Sequence, residues 1–130
     1  MLVRDVMSES VLTVGPTHTI RQVAQAMRSR HVGAAVVHDP DSEGPGILTE
    51  RDVLEAVAGG QDLDQELAAD HLTPDAVVGM PDWDLDKAAA AMVAGGFRHL
   101  VICDGSEVVG VISVRDIVRV WSQQRSAAPA

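Results

Sequence analysis

Aromatic residues, cysteine and positive charge are all scarce in this chain. Of 130 residues, two are Trp and one is Phe, with no Tyr, so aromatics make up 2%. That excludes the stacked aromatic platforms on which single-stranded nucleic acid is held. It also leaves the core to Val, Ile, Leu, Ala and Met within a hydrophobic fraction of 46%, which suits a layered β/α unit better than an aromatic-rich sandwich. The single cysteine, Cys103, rules out an intrachain disulfide, a CxxC motif and a thiolate metal cluster, and points to a reducing, intracellular setting. Its place in an apolar run predicts a buried, inert thiol. Ten Lys and Arg against nineteen Asp and Glu give a net charge of -9, which repels a phosphate backbone, so no nucleic-acid partner is expected. A small anion needs only one or two local positive groups and a helix N-terminus. No apolar run approaches the roughly 18 residues of a membrane span. The opening Met1-Leu2-Val3-Arg4-Asp5 turns polar too early for a signal peptide. The expectation is a soluble, cytoplasmic protein without a membrane partner.

What the chain does contain is the same unit twice. Asp5 to Asp39 lies over Asp70 to Asp104 at a constant offset of 65, matching Pro16 with Pro81, Ile20 with Leu85, Met27 with Met92 and Val36 with Val101. One residue then drops out, and Gly46 to Val53 lies over Gly110 to Ile117 at an offset of 64. Two copies this small must share a core rather than fold alone. The division reads as repeat 1 over 1–60, a bridging helical turn over 61–67, repeat 2 over 68–124 and a frayed tail over 125–130.

Within each copy the order of elements is β-α-β-β-α. In the first, Val11 to Val14 reads as a strand. Thr17 or Thr19 then caps a helix whose apolar residues Ile20, Val23, Ala24 and Met27 recur at three- and four-residue spacing. His31-Val32-Gly33 ends it. Ala34 to Val37 is a strand covered on both faces, Asp39 to Pro45 a turn, and Gly46 to Thr49 a strand leading straight into a helix from Glu50 to about Val57. The second copy predicts a strand at Ala76 to Val78, a helix at Asp84 to Ala94 and a strand at Leu100 to Cys103. A turn at Asp104-Gly105, a strand at Val108 to Ser113 and a helix from Val114 to about Ser122 complete it.

The strongest local pattern is Gly-x-x-Thr/Ser-x-Arg-Asp, present as Gly46 to Asp52 and as Gly110 to Asp116, each at a strand-to-helix junction. A structural explanation is available: Thr49 or Ser113 caps the helix, and Asp52 or Asp116 three residues on completes a capping box. The functional alternative is an anion site built from a hydroxyl, backbone amides and a helix N-terminus. The carboxylate would accept bonds from the vicinal hydroxyls of a ribose while Arg51 or Arg115 supplies charge for a phosphate.

The double β-α-β-β-α order, the leaders Asp5-Val6-Met7-Ser8 and Asp70-His71-Leu72-Thr73, and the paired Gly-x-x-Thr/Ser-x-x-Asp motifs resemble the cystathionine β-synthase (CBS) domain pair over roughly Leu2 to Ser122. The resemblance implies an α/β (α+β) fold of two repeats about a pseudo-twofold axis, with two clefts for adenosyl ligands such as AMP, ADP, ATP or S-adenosylmethionine. It implies that Asp52 and Asp116 bind ribose hydroxyls and that Thr49 and Ser113 bind phosphate or ribose oxygen. Adenine would lie against Val111 with Ser10 and Val11 in one cleft, and against Ile47 with Asp75 and Ala76 in the other. Arg98 and His99 occupy the place from which basic residues reach a phosphate in nucleotide-sensing members. The first repeat has Gly33 and Ala34 there, and Asp75 brings a carboxylate. The two sites are therefore expected to be unequal, the Asp116 cleft being the better nucleotide binder.

Other features read structurally. Neither the five histidines, His18, His31, His38, His71 and His99, nor the aspartates of Asp82 to Asp86 match a zinc or calcium pattern. Ala88 to Ala91 favours either plain helix or a tight seam, and family members commonly dimerise through these helices, so a homodimer is expected. The chain reads as a stand-alone, non-catalytic sensor with no obligatory cofactor, signalling to an unknown protein partner. The rival is a dimerisation or partner-binding adaptor with vestigial clefts. A nucleotide hydrolase is a weaker rival, because no Gly-rich phosphate loop with its Lys is present.

Overall fold

The computed structural model describes residues 1–127. The chain forms two compact units. One is Val11–Ala76. The other joins Met1–Ser10 to the residues from Val77 onward.

In the first unit, β1 (Thr13–Val14), α1 (Ile20–Arg30), β2 (Ala34–Val37), β3 (Gly46–Thr49) and α2 (Glu50–Ala58) follow in order. β2 lies in the middle of the sheet, parallel to β1 and antiparallel to β3. Thr19, not Thr17, caps α1: its hydroxyl accepts from the Gln22 amide at 3.2 Å and its own amide donates to Gln22 Oε1 at 3.0 Å, a reciprocal capping box. The stripe Ile20, Val23 and Met27 is buried and packs with Leu12, Ala35, Val37, Leu48 and Ala56. His31 ends the helix in the left-handed region at φ 55. All four residues of β2 are buried, as expected for an apolar strand covered on both faces. The bridging segment makes one turn in which the Asp62 carbonyl accepts from the Gln65 and Glu66 amides. It docks on the start of α1 through the amides of Ile20 and Arg21, which donate to the Glu66 and Leu63 carbonyls, and through an Arg21–Asp64 ion pair.

The second unit repeats the plan with β4 (Val78–Gly79), α3 (Leu85–Gly95), β5 (His99–Asp104), β6 (Glu107–Ser113) and α4 (Val114–Ala127). β5 is central, parallel to β4 and antiparallel to β6. Its core is Val3, Leu85, Ala88, Met92, Leu100, Ile102, Ile112 and Ile117. β5 and β6 are longer than β2 and β3 because Gly105, at φ 62, permits a tight turn. In the first copy Pro40 and Pro45 interrupt pairing across a longer turn.

Both units are α+β, with a three-stranded mixed sheet and two helices each among the described residues. Their composition does not follow the order of the copies. The leader before β1 folds into a 3-10 turn (Val3–Asp5) that sits in the second unit. There Val3 is fully buried and its amide donates to the Trp83 carbonyl at 2.8 Å. The leader before β4, a 3-10 turn at Ala68–Asp70, sits in the first unit with Ala68 fully buried. Ser8 exchanges two backbone hydrogen bonds with Val111, at 2.9 and 3.0 Å, and Thr73 does the same with Ile47. The repeat pattern alone does not say which leader docks where, because both copies offer equivalent receiving edges.

Two boundaries differ from the sequence reading. α4 continues past Ser122 to Ala127, so the part of the expected frayed tail at 125–127 is helical. Gln, Arg, Ser and Ala tolerate helix, and no Gly or Pro intervenes before Pro129. The remainder of that tail, 128–130, lies outside the described residues. β4 begins at Val78 rather than Ala76, because Asp75 turns the chain at φ 46.

The docking of the first leader on β6 is tight at Gly110. A Cβ there would fall 2.6 Å from Met7 Sδ and 3.0 Å from the Ser8 carbonyl oxygen. Gly110→Ala is therefore expected to lower stability by about 1–3 kcal/mol, measured by urea denaturation. A loss within experimental error would contradict the close approach of this leader.

Candidate functional site

The last residue of β3 is also the N-cap of α2, and the last residue of β6 directly precedes α4. No loop separates strand from helix, so the motif side chains are positioned by the sheet itself. At the first junction the Thr49 amide donates to Asp52 Oδ2 at 2.8 Å, the Thr49 hydroxyl shares that oxygen at 3.1 Å, and the Asp52 amide points back at Thr49 Oγ1 at 3.4 Å. Ser113 and Asp116 reproduce this at 2.9, 3.0 and 3.1 Å. The expected capping boxes are present in both copies.

These bonds decide which atoms remain for a ligand. Each hydroxyl proton is directed at its own aspartate, so Thr49 and Ser113 have none left for a phosphate oxygen and can only accept. The first amide of each helix is also engaged: Glu50 donates to the Gly33 carbonyl at 3.0 Å and Val114 to the Arg98 carbonyl at 2.9 Å. Outside the cap, each junction has the second helical amide, of Arg51 or Arg115, and one carboxylate oxygen, Oδ1.

Strand alternation places Ile47 with Thr49 and Val111 with Ser113 on one face, opposite the core residues Leu48 and Ile112. Val111 is half-buried and Ile47 buried. The bridges Ser8 to Val111 and Thr73 to Ile47 bring each leader onto the strand that carries a motif. Ser10 belongs to the unit of Val111, and the boundary between units falls just before Val11. Arg98 and His99 lie beside Ser113, since His99 pairs with Ser113 across the sheet. Gly33 and Ala34 hold the matching place, Ala34 pairing with Thr49.

Asp75 lies away from Thr49 and Asp52. The leader runs antiparallel to β3 beyond Thr73, so the Ala76 amide donates to the Pro45 carbonyl and Asp75 Oδ1 lies against Gly44. That is the end of β3 away from Thr49, about 10 Å along the strand. A half-open pocket of about 350 Å³ lined by Val37, Asp39, Gly46, Leu72 and Pro74 lies at that same far end. The acidic character of the Asp52 junction comes instead from Glu50 and Glu55 on α2.

One residue escapes the motif reading. Arg119 Nη2 donates to Asp116 Oδ1 at 3.0 Å. Its counterpart at an offset of 64 is Glu55, and no bond to Asp52 Oδ1 occurs among the described residues. The opposite charges three residues apart on α4 are a signal the sequence carries. With the Arg119 side chain 54% exposed, such a pair contributes about 0–1 kcal/mol.

Elsewhere, Cys103 is buried, and that burial pushes its thiol above its ordinary pKa. Lys87 Nζ lies 4.4 Å over the Trp83 ring. Among the described residues no group of three or more His, Cys, Asp or Glu is placed to hold a metal ion, and no helix is long and apolar enough to cross a membrane.

A duplicated β-α-β-β-α unit with a capped Thr/Ser-x-x-Asp turn in each copy defines a tandem α+β domain. The CBS domain model matches residues 3–59 and 68–122, and the chain belongs to that family. It is similar to the CBS domain-containing protein YhcV of Bacillus subtilis, 32% identical over 129 residues covering 98% of this chain and 91% of that protein. It is also similar to the uncharacterized protein MK0525 of Methanopyrus kandleri, 31% identical over 91% of this chain, but spans only 61% of that protein's length. Among solved structures, the CBS domain protein PAE2072 from Pyrobaculum aerophilum, complexed with AMP, superposes with a TM-score of 0.83 at 28% identity, covering 98% of this chain and all of that one.

Two measurements check this description. Asp52→Ala and Asp116→Ala should each lower stability by about 0.5–2 kcal/mol through loss of the cap, read by thermal or urea melts without ligand. Labelling of Cys103 by a thiol reagent at neutral pH should be more than about tenfold slower in the native than in the unfolded protein, because burial disfavours the thiolate. The rate should rise with pH, and equal rates would contradict the burial.

Proposed function

We propose that this chain is a non-catalytic regulatory module that binds an adenosyl ligand, AMP, ADP, ATP or S-adenosylmethionine, and passes its ligand state to a protein partner. The reading rests on one observation above others: each reciprocal cap uses Oδ2 of the motif aspartate and leaves Oδ1 outside the cap, an acceptor suited to a ribose diol that at Asp116 is shared with Arg119. AMP in the related Pyrobaculum protein supports the ligand class. Val111 and Ile47, with Ser10, Val11, Asp75 and Ala76 of the leaders, are the apolar and neighbouring positions proposed to receive adenine. Arg98, His99 and Arg115 are proposed to attract phosphate at the Asp116 junction. At the Asp52 junction only Arg51 is basic, among Glu50, Asp52 and Glu55, so this site is the weaker one for a charged nucleotide. Unequal sites thus follow from α2 and from Gly33-Ala34, without Asp75.

A ligand favouring one state of the module shifts its population by no more than the difference in affinity for the two states. The exposed apolar residues Leu54 and Val57 on α2, and Val118 and Trp121 on α4, support association of two copies into a homodimer. A cytoplasmic setting accords with the single reduced cysteine.

Calorimetric titration of the wild type, Asp116→Ala and Asp52→Ala with AMP, ATP and S-adenosylmethionine tests the proposal. AMP and ATP affinity should fall at least tenfold in Asp116→Ala and little in Asp52→Ala. Equal losses would refute the inequality. Absence of any heat or thermal shift at millimolar ligand would favour the adaptor reading, in which both aspartates only cap helices.

A further inference from the structure

The two motif aspartates differ in the one oxygen that capping leaves over. Asp116 Oδ1 already accepts Arg119 Nη2 at 3.0 Å, whereas position 55, the counterpart of Arg119, is a glutamate and Asp52 Oδ1 receives no bond among the described residues. A carboxylate oxygen offers about two acceptor positions, and Oδ2 of Asp116 is filled by the Ser113 amide and hydroxyl. Arg119 therefore occupies half of what a diol would use. The guanidinium is exposed and held by a single bond at this carboxylate, so a stronger anion nearby draws it away.

We infer that Arg119 is a specificity-determining residue: it guards Asp116 Oδ1 against uncharged nucleosides and yields it to ligands that carry a phosphate. An uncharged adenosine has to displace Arg119 and leave the guanidinium without its partner, a cost that subtracts directly from affinity. A phosphorylated adenosyl ligand offers the guanidinium a new, charge-assisted partner as the diol takes Oδ1. The Asp52 junction lacks the guard, and Glu55 adds negative charge, so discrimination there runs toward uncharged or cationic adenosyl groups. This inference rests on the proposal that Asp116 binds the ribose.

The test uses AMP and adenosine as probes on the full chain in an Asp52→Ala background, so that one junction is read. Arg119→Ala should bind adenosine more tightly and AMP more weakly, lowering the AMP-to-adenosine affinity ratio about fivefold, the upper size of an exposed ion pair. Arg119→Lys should keep most of the ratio, because charge rather than helix packing sets it. Thermal melts of both variants exclude a folding defect, which an exposed side chain is not expected to cause. An unchanged ratio in Arg119→Ala, with AMP binding still abolished by Asp116→Ala, overturns the role of Arg119 and leaves the ligand site standing. AMP binding that survives Asp116→Ala overturns both.

Discussion

The structure depends on the reciprocal hydrogen bonding between the last strand residue and the aspartate three positions on. Because Thr49 closes β3 and caps α2 in the same residue, and Ser113 with Asp116 repeats the arrangement where β6 meets α4, strand and helix meet with no adjustable loop. A cap of this kind contributes only about 1 kcal/mol. Its larger consequence is geometric, since it fixes the aspartate against the end of the sheet. Capping does not use every atom of these residues. The cap takes Oδ2, the hydroxyl proton and the third amide; Oδ1 and the second amide are left over.

That division also narrows the chemistry. A hydroxyl that donates to its own aspartate is an acceptor toward anything else. The protein as a whole is acidic at -9, yet exposed charges are screened beyond roughly 8 Å at physiological salt. Near Asp116 the chain carries Arg98, Arg115 and Arg119, of which Arg119 is bonded to the carboxylate.

Much of this was legible in the sequence because it is local. The stripe Ile20, Val23, Met27 announces α1, the run Ala34 to Val37 announces a doubly covered strand, and the Thr/Ser-x-x-Asp spacing announces both caps; apart from the longer α4, each element stands within a residue or two of its expected bounds. What the sequence withheld depends on contacts between residues far apart in the chain. That Val3 is buried in the core built by Leu85 and Ile112 follows from which equivalent edge receives which leader, and an internal repeat is silent on that choice. Asp75 misled for a related reason: two residues past Thr73 it has run toward the Pro45 end of β3, and only the antiparallel register shows it. Arg119 is the reverse case, a local i,i+3 pair visible in the sequence but outside the motif that drew attention to Asp116.

Some of the positions at which the two copies agree or differ have a direct physical consequence. Agreement falls where the backbone or the core demands it: a glycine under the leader at Gly46 and Gly110, a capping hydroxyl, a carboxylate at the third helical position, buried Met27 and Met92. Among the differences are Arg119 against Glu55 on the two motif helices and Arg98 against Gly33 beside the two motif strands. Substituting such positions costs little stability, because exposed ion pairs contribute little. They change the field and the free acceptors at the junction all the same. One duplicated scaffold in this way presents two aspartates in the same cap geometry with oppositely charged residues three positions further along the helix.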